Sequence, residues 1–198
     1  MRKLFMAALF IACTASFAFS QTAGGSDYHK YDFGALYSHD RVDTGFSDPN
    51  QNFLQNREGF NGVEGFAKFN FSRYLGAVGD YSFHRKTFDD TFGTTAVSTR
   101  VTLNTLMGGV EVKDNNTETK VKPFARGLVG FQHATADVTG VTGFNTHETG
   151  FSAAIGGGVD FRINHSLDVR AIQFDYNPTR LGGETQNNFR FGVGLIFH

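Results

Sequence analysis

The chain has 198 residues, enough for one domain of ordinary size once any targeting segment is removed. Its hydrophobic fraction is 40% and its mean hydropathy is negative, so no stretch beyond the N-terminus supplies the roughly 18 apolar residues of a membrane helix. A helical membrane protein is excluded, yet 23 Phe and 24 Gly, beside 3 Pro and no Trp, exceed what a soluble helical domain needs.

The first residues indicate export. Arg2 and Lys3 form a charged start, Leu4 to Ala15 an apolar run, and Ala18-Phe19-Ser20 a small-x-small site before Gln21. Together they read as a secretory signal peptide over 1–20, with Ala18 and Ser20 setting the cleavage site and a single domain over 21–198. A retained anchor fits less well, because the run is short and Gln21 to Lys30 turns polar at once. Cys13 raises a lipoprotein reading, but Phe10-Ile11-Ala12 before it lacks the usual Leu. Cleavage after Ser20 removes the one cysteine and with it disulfide and thiol chemistry. Loss of Arg2 and Lys3 leaves 16 basic against 19 acidic side chains, a balance that argues against a nucleic-acid partner.

Period-2 alternation then recurs in segments of roughly ten residues, the mark of strands. Tyr31, Phe33, Ala35 and Tyr37 form an apolar row against Asp32, Gly34 and Ser38, with Leu36 an exception. Val63, Gly65, Ala67, Phe69 and Phe71 oppose Glu64, Lys68 and Asn70, with Phe66 among the polar set. After the short turn Ser72-Arg73-Tyr74, Leu75, Ala77, Gly79, Tyr81 and Phe83 oppose Asp80, Ser82 and His84. Arg85 to Thr99 reads as a polar loop. The fourth strand, about Val101 to Val112, has ambiguous parity; Leu106, Gly108, Val110 and Val112 are favoured as its apolar row. Lys113 to Lys120 is a turn, and Pro123 suits the start of a fifth strand with Ala125, Gly127, Val129 and Phe131 opposite Arg126.

Thr135 to Glu148 reads as a second long loop. The sixth strand alternates cleanly from Phe151 to Ile163, against Ser152, Gly156, Asp160 and Arg162. Asn164-His165 turns the chain into a seventh strand, where Leu167 and Val169 share a face but Phe174 and Tyr176 have the opposite parity; one extra residue near Ala171-Ile172 repairs this, so a bulge is expected there. Asn177 to Asn187 is a further loop, and Phe189, Phe191, Val193, Leu195 and Phe197 mark the eighth strand. Short connections alternate with long ones, the asymmetry of short periplasmic turns and longer external loops in a membrane barrel. No repeat of fixed period, heptad or charge run suggests another architecture.

Ten charges fall mid-strand on the faces opposite the apolar rows: Glu64, Asp80, Glu111, Asp160 and Asp175, and Lys68, Arg126, Arg162, Arg170 and Arg190. A soluble barrel places its charges outside and a membrane barrel places them inside; the pattern fits either inversion. Aromatic residues near the ends of the apolar rows (Tyr31, Phe69, Phe71, Tyr81, Phe83, Phe189, Phe197) favour lipid outside, as two interfacial girdles. The expected fold is all-β, an eight-stranded antiparallel up-and-down transmembrane β-barrel, its interior plugged by an ion-paired network of those ten residues.

The final strand, Arg190-Phe191-Gly192-Val193-Gly194-Leu195-Ile196-Phe197, carries polar-x-Gly-x-x-hydrophobic-x-aromatic at Arg190, Gly192, Leu195 and Phe197. With Phe69 to Gly76, Gly156 to Asp160, and Gln173 to Tyr176 followed by Thr179-Arg180, it resembles the small OmpA-like outer-membrane β-barrel domain proteins, over nearly all of the mature chain. The resemblance implies outer-membrane location and contact with outer-membrane lipid and lipopolysaccharide. It also implies delivery by periplasmic chaperones and recognition of the last strand by the barrel assembly machinery. His198 after Phe197 departs from the pattern, since the aromatic residue usually ends the chain. The family is functionally mixed.

Chemistry beyond this is thinly signposted. His84 with Asp89 and Asp90 imitates an acidic protease rim, and Ser82 with His84, or His133 with Ser152, imitates a lipid-modifying pair, without a recognisable sequence context. His29, His39, His133 and His147 could gather at the external rim, but they lack short metal-ligand spacing. Asn115-Asn116-Thr117 is a sequon of no consequence for a bacterially exported chain, and Gly156-Gly157-Gly158 lacks the Lys-Ser/Thr ending of a phosphate loop. The sequence therefore favours a non-enzymatic barrel without cofactor, in a structural or surface-interaction role. A narrow pore or passive transporter, and a lipid-modifying enzyme, are the alternatives.

Overall fold

Strict alternation of apolar and polar side chains gives each strand one lipid-compatible face and one hydrophilic face, and the strands close into a ring that removes both sheet edges. The computed structural model describes residues 27–44, 56–92, 95–139 and 145–198. Its strands are β1 (Tyr31–Asp43), β2 (Arg57–Asn70), β3 (Leu75–Phe92), β4 (Thr95–Lys113), β5 (Val121–Thr139), β6 (Asn145–Asn164), β7 (Leu167–Leu181) and β8 (Glu184–Phe197). All neighbours are antiparallel, and β1 pairs with β8 to close the barrel in sequence order. The proposed signal segment, with Ala18 and Ser20, lies outside the described residues.

The register fixes the tilt. Starting at Tyr31, the directly paired residues run Phe69, Ala77, Val110, Gly127, Ile155, Tyr176 and Phe189, and return to β1 at Arg41. One circuit thus climbs ten residues, from 31 to 41, which corresponds to strands inclined by roughly 40° to the barrel axis. Two belts follow once this climb is allowed for. Tyr31, Phe69, Phe71, Phe161 and Phe197 ring the end that carries the short turns, and Tyr81, Phe83, Phe131, Phe151 and Phe189 ring the end that carries the hairpins. Between them the outward face is apolar, with Val63, Leu106, Val129 and Ile155 all more than half exposed.

Several strands outrun the sequence reading. The stretches read as loops at Arg85 to Thr99, Thr135 to Glu148 and Asn177 to Asn187 are mostly paired strand, since β3 continues to Phe92, β5 to Thr139 and β7 to Leu181. These extensions rise above the apolar band, where the outward face turns polar while Phe88, Val101 and Ala134 pack inside, so the outward apolar row is lost although the ladder persists. Gly182 and Gly183, both with positive φ, close the β7–β8 hairpin in a conformation other residues resist. On β4 the outward row is Leu106, Gly108, Val110 and Val112. On β7 the register slips between Arg170 and Gln173, and Ala171 is the extra residue of a bulge. The glycine run of β6 lies against it. A Cβ at Gly158 would meet the Ile172 carbonyl oxygen at 1.9 Å, so Gly there admits the bulged strand.

Candidate functional site

The barrel interior holds the chemistry, arranged in layers from the turn end to the hairpin end. Every second residue of each strand points inward, and the first layer at the turn end collects four acids and four bases. Lys68 Nζ lies 2.7 Å from Asp32 and 2.9 Å from Glu111. Lys113 is 3.1 Å from Asp160, Lys122 2.8 Å from Asp168, and Arg170 2.8 Å from Asp160 and 3.3 Å from Glu111. The Arg170 guanidinium also stacks 3.7 Å from the Phe124 ring centroid, which shields its flat face where no hydrogen bond can form. Arg162 is half-buried at the rim, 3.6 Å from Asp168.

The second layer sits at mid-height and is denser. Arg126 reaches Asp175 at 2.5 Å, Glu64 at 2.9 Å and Asp80 at 3.3 Å. Arg190 reaches Asp80 at 3.0 Å, Asp175 at 3.2 Å and Glu64 at 3.4 Å. Two guanidiniums thus share three carboxylates, and Gln173 donates to Glu64 at 2.9 Å. The side chains of all five charged residues have no solvent exposure. Arg can span three partners because its donors are held in a rigid fork, which a Lys ammonium cannot copy. Leu36, Phe66, Val78, Met107, Leu128, Ala154 and Ile196 fill the remaining space, which explains the exceptions Leu36 and Phe66 in otherwise polar rows.

Above this lie Ser38, Asp40, His84, Gln132, Ser152, Asn177 and Thr179, buried and chiefly hydrogen-bonded to one another. His84 Nε2 is 2.9 Å from Ser38 Oγ, and its Nδ1 is 3.3 Å from Asp40. A serine, an imidazole and a carboxylate therefore meet in the order of a hydrolytic triad. Val42, Phe60 and Leu103, flanked by Phe88, Val101 and Ala134, lie over them as an apolar cap toward the hairpin end. The surrounding strands are paired on both sides, so their backbone N–H groups are engaged in the ladders.

The pairings suggested by sequence dissolve here. Ser82 bonds Arg190 at 3.2 Å, and His84 turns inward while Asp89 stands exposed on the outer face. His133 faces outward and bonds Thr149 at 2.7 Å, while Ser152 faces inward and bonds Asn177 at 2.8 Å. The four histidines do not gather either. His29 lies at the turn end, His39 bonds Asn61 at 2.8 Å, and only His133 and His147 approach, at 6.2 Å between rings. Among the described residues no group of three His, Cys, Asp or Glu is placed to hold a metal ion.

The turn end has a stopper that sequence reasoning passed over. His198 folds back into the mouth, with Nδ1 2.7 Å from Asp32 and Nε2 3.1 Å from Asp168, and His29 stacks on it at 4.2 Å. Burial works against a charge on His198, but its hydrogen bonds to Asp168 and Asp32 outweigh this and raise its pKa. For His29, burial first and then the neighbouring His198 and Arg162 push the pKa down to about 4. One ring is thereby favoured charged and the other neutral, which lets them stack. Outside the mouth, Arg73 holds Asp114 at 3.0 Å, and its hydrogen bond lowers the carboxyl pKa.

Comparison with known proteins agrees with this architecture. The family model described as outer membrane protein beta-barrel domain matches residues 5–197. No curated protein matches by sequence. Among solved structures, Ail, the attachment invasion locus protein of Yersinia pestis, is similar at 17% identity, with 84% of this chain and 96% of that one covered and a TM-score of 0.53. Neisserial surface protein A is similar at 13% identity, covering 85% and 97%, with a TM-score of 0.52. OprG from Pseudomonas aeruginosa is similar at 10% identity, covering 87% and 98%, with a TM-score of 0.52. At these identities the likeness is one of fold. The family match over almost the whole sequence, with the closed eight-stranded ring, establishes that the chain belongs to the outer-membrane β-barrel domain family and resides in the outer membrane.

Proposed function

We propose that this protein is a structural or surface-interaction barrel, closed inside by paired charges, that presents its hairpins to the exterior. The observation that carries the reading is the mid-height layer, where Arg126 and Arg190 bind Glu64, Asp80 and Asp175 with no exposed side chain among them. A conducting path needs groups that water or ions can reach, and here each carboxylate is held between both guanidiniums. The short turns face the periplasm and the extended hairpins face out, as is general for such barrels. Arg190, Gly192, Leu195 and Phe197 form the strand read by the assembly machinery after periplasmic chaperones deliver the chain.

Ser38, His84 and Asp40 favour a second reading, a hydrolase. Against it, Ser38 and His84 are wholly buried and Asp40 is 3% exposed, beneath the cap of Val42, Phe60 and Leu103. A nucleophile without substrate access is a structural hydrogen-bond group, so the protein is read as no enzyme and as needing no cofactor.

Orientation is testable because the sole cysteine, Cys13, belongs to the proposed signal. Thr185→Cys, near the β7–β8 tip, is expected to react with a membrane-impermeant maleimide on intact cells. Ser166→Cys, in the turn before β7, is expected to react only after the outer membrane is opened. Labelling of Ser166→Cys alone on intact cells would reverse the orientation and remove the surface role.

A further inference from the structure

Pairing between β5 and β6 brings two imidazoles together above the apolar band. On β5 the outward row runs Phe131, His133, Thr135 and Asp137, and on β6 it runs Phe151, Thr149 and His147. The register sets Phe131 opposite Phe151, His133 opposite Thr149 and Thr135 opposite His147. His133 and His147 are therefore diagonal neighbours on one face, a separation that aromatic and long side chains bridge. Their ring centroids lie 6.2 Å apart, with the planes tilted by 41°.

Imidazole is the commonest side-chain ligand of transition metals. With metal–nitrogen bonds of about 2.1 Å, two imidazoles on one ion hold their ring centroids about 5–6 Å apart, so a small turn of either side chain closes this pair on an ion. The ring of His133 is already held, because its Nδ1 is 2.7 Å from Thr149 Oγ1. A metal selects the tautomer in which Nδ1 donates to Thr149 and Nε2 carries the lone pair. An outer hydrogen bond of this kind fixes a ligating imidazole and raises its basicity.

The surroundings tolerate a cation. On β4, Asn104 stands opposite His133 and Thr102 opposite Thr135. Arg100 stands opposite Asp137, and Arg180 on β7 opposite Phe151, so neither guanidinium is paired with a histidine position. Two imidazoles leave the other coordination positions to water, a nitrogen and oxygen set that favours copper(II) over nickel(II) and zinc(II). We propose that His133 and His147 form a seat for a divalent transition-metal ion, with copper(II) held most tightly and Thr149 as a positioning residue. The seat uses two side chains, consistent with the lack of a three-residue cluster among the described residues.

The test uses the full chain without an affinity tag, carrying C13S so that no thiolate competes, refolded in detergent and titrated with copper(II) against a weak chelator such as glycine. The bound ion is expected to show an electron paramagnetic resonance spectrum split by two imidazole nitrogens. H133Q and H147Q should each abolish that splitting. T149V, which removes the orienting oxygen, should weaken binding about tenfold, whereas T149S should keep it. H165Q, at the exposed turn before β7, should change nothing. A heat-dependent gel shift confirms that each variant is folded. Equal copper affinity in the native chain and in H133Q/H147Q would overturn the seat, as would a loss in H165Q as large as in either histidine variant. Unchanged affinity in T149V would overturn the positioning role of Thr149.

Discussion

Arg190→Gln should lower the unfolding free energy by about 3–5 kcal/mol, the cost of removing one partner from a buried ion network. Arg190 is one of two cations serving Glu64, Asp80 and Asp175. Without it Arg126 alone faces three carboxylates, and the excess negative charge has no route to water from a layer with no exposed side chain. Gln keeps much of the volume and one amide donor, so the loss reports charge and the lost fork rather than a cavity. Adding Asp80→Asn restores the balance to one cation against two acids with a neutral bridge, and should recover part of the stability. With no Trp in the chain, unfolding by urea is best followed by far-UV circular dichroism or by the heat-dependent gel shift. A loss below about 1 kcal/mol would mean that water enters this layer and screens the carboxylates.

Gly130→Val should prevent the barrel from closing, with a destabilisation of at least about 3 kcal/mol. An eight-stranded ring must curl sharply, and the curl brings backbones close on the inner face. A Cβ at Gly130 would lie 2.0 Å from the Leu106 carbonyl oxygen and 2.7 Å from the Met107 Cα. On the partner strand, a Cβ at Gly109 would lie 2.0 Å from the Gly127 oxygen. Because these obstacles are backbone atoms of the neighbouring strand, no rotamer change relieves them. The β4–β5 pair is therefore creased by two reciprocal glycines. Gly79→Val supplies the contrast. Its Cβ would meet nothing within 4 Å, and it points outward into the apolar band, where Val is at home. The expected result is a compact, heat-shifted species for Gly79→Val and its absence for Gly130→Val. Equal behaviour of the two would remove the crease argument.

Much of this barrel is legible in the sequence because membrane barrels impose a strict two-residue period where lipid touches the wall. Phe33, Val63, Tyr81, Phe131 and Phe191 alternate with polar residues for that reason, and they betray the strands. The period fails where the reason lapses. Above the band, Arg100, Thr102, Thr135 and Asp137 face outward into water while Val101 and Ala134 pack inside, so the outward apolar row is lost and paired strand reads as loop. The bulge at Ala171 is readable as a parity conflict between Val169 and Phe174, because only an inserted residue keeps both outside.

The interior was harder to read. The parity of β2 places Glu64 and Lys68 on one face, but nothing in the sequence says that Lys68 pairs with Asp32 and Glu111 on other strands. Partners separated by dozens of residues meet through shear, which sequence does not print. Lys113, Lys122 and Asp168 share the inward parity yet sit next to turns, where a charge ordinarily reads as solvated. His198 looked like a departure from the assembly pattern, whereas its ring bridges Asp32 and Asp168 at the mouth.

The closed interior is the claim on which the rest depends, and conductance across a planar bilayer tests it most directly. Refolded full-length protein, shown by its gel shift to be inserted, is expected to give no resolvable single-channel steps in molar potassium chloride at moderate voltage. Recurrent, uniform steps from the native protein would contradict the account. They would show that the Arg126 and Arg190 layer opens to ions, and the reading would become that of a narrow pore.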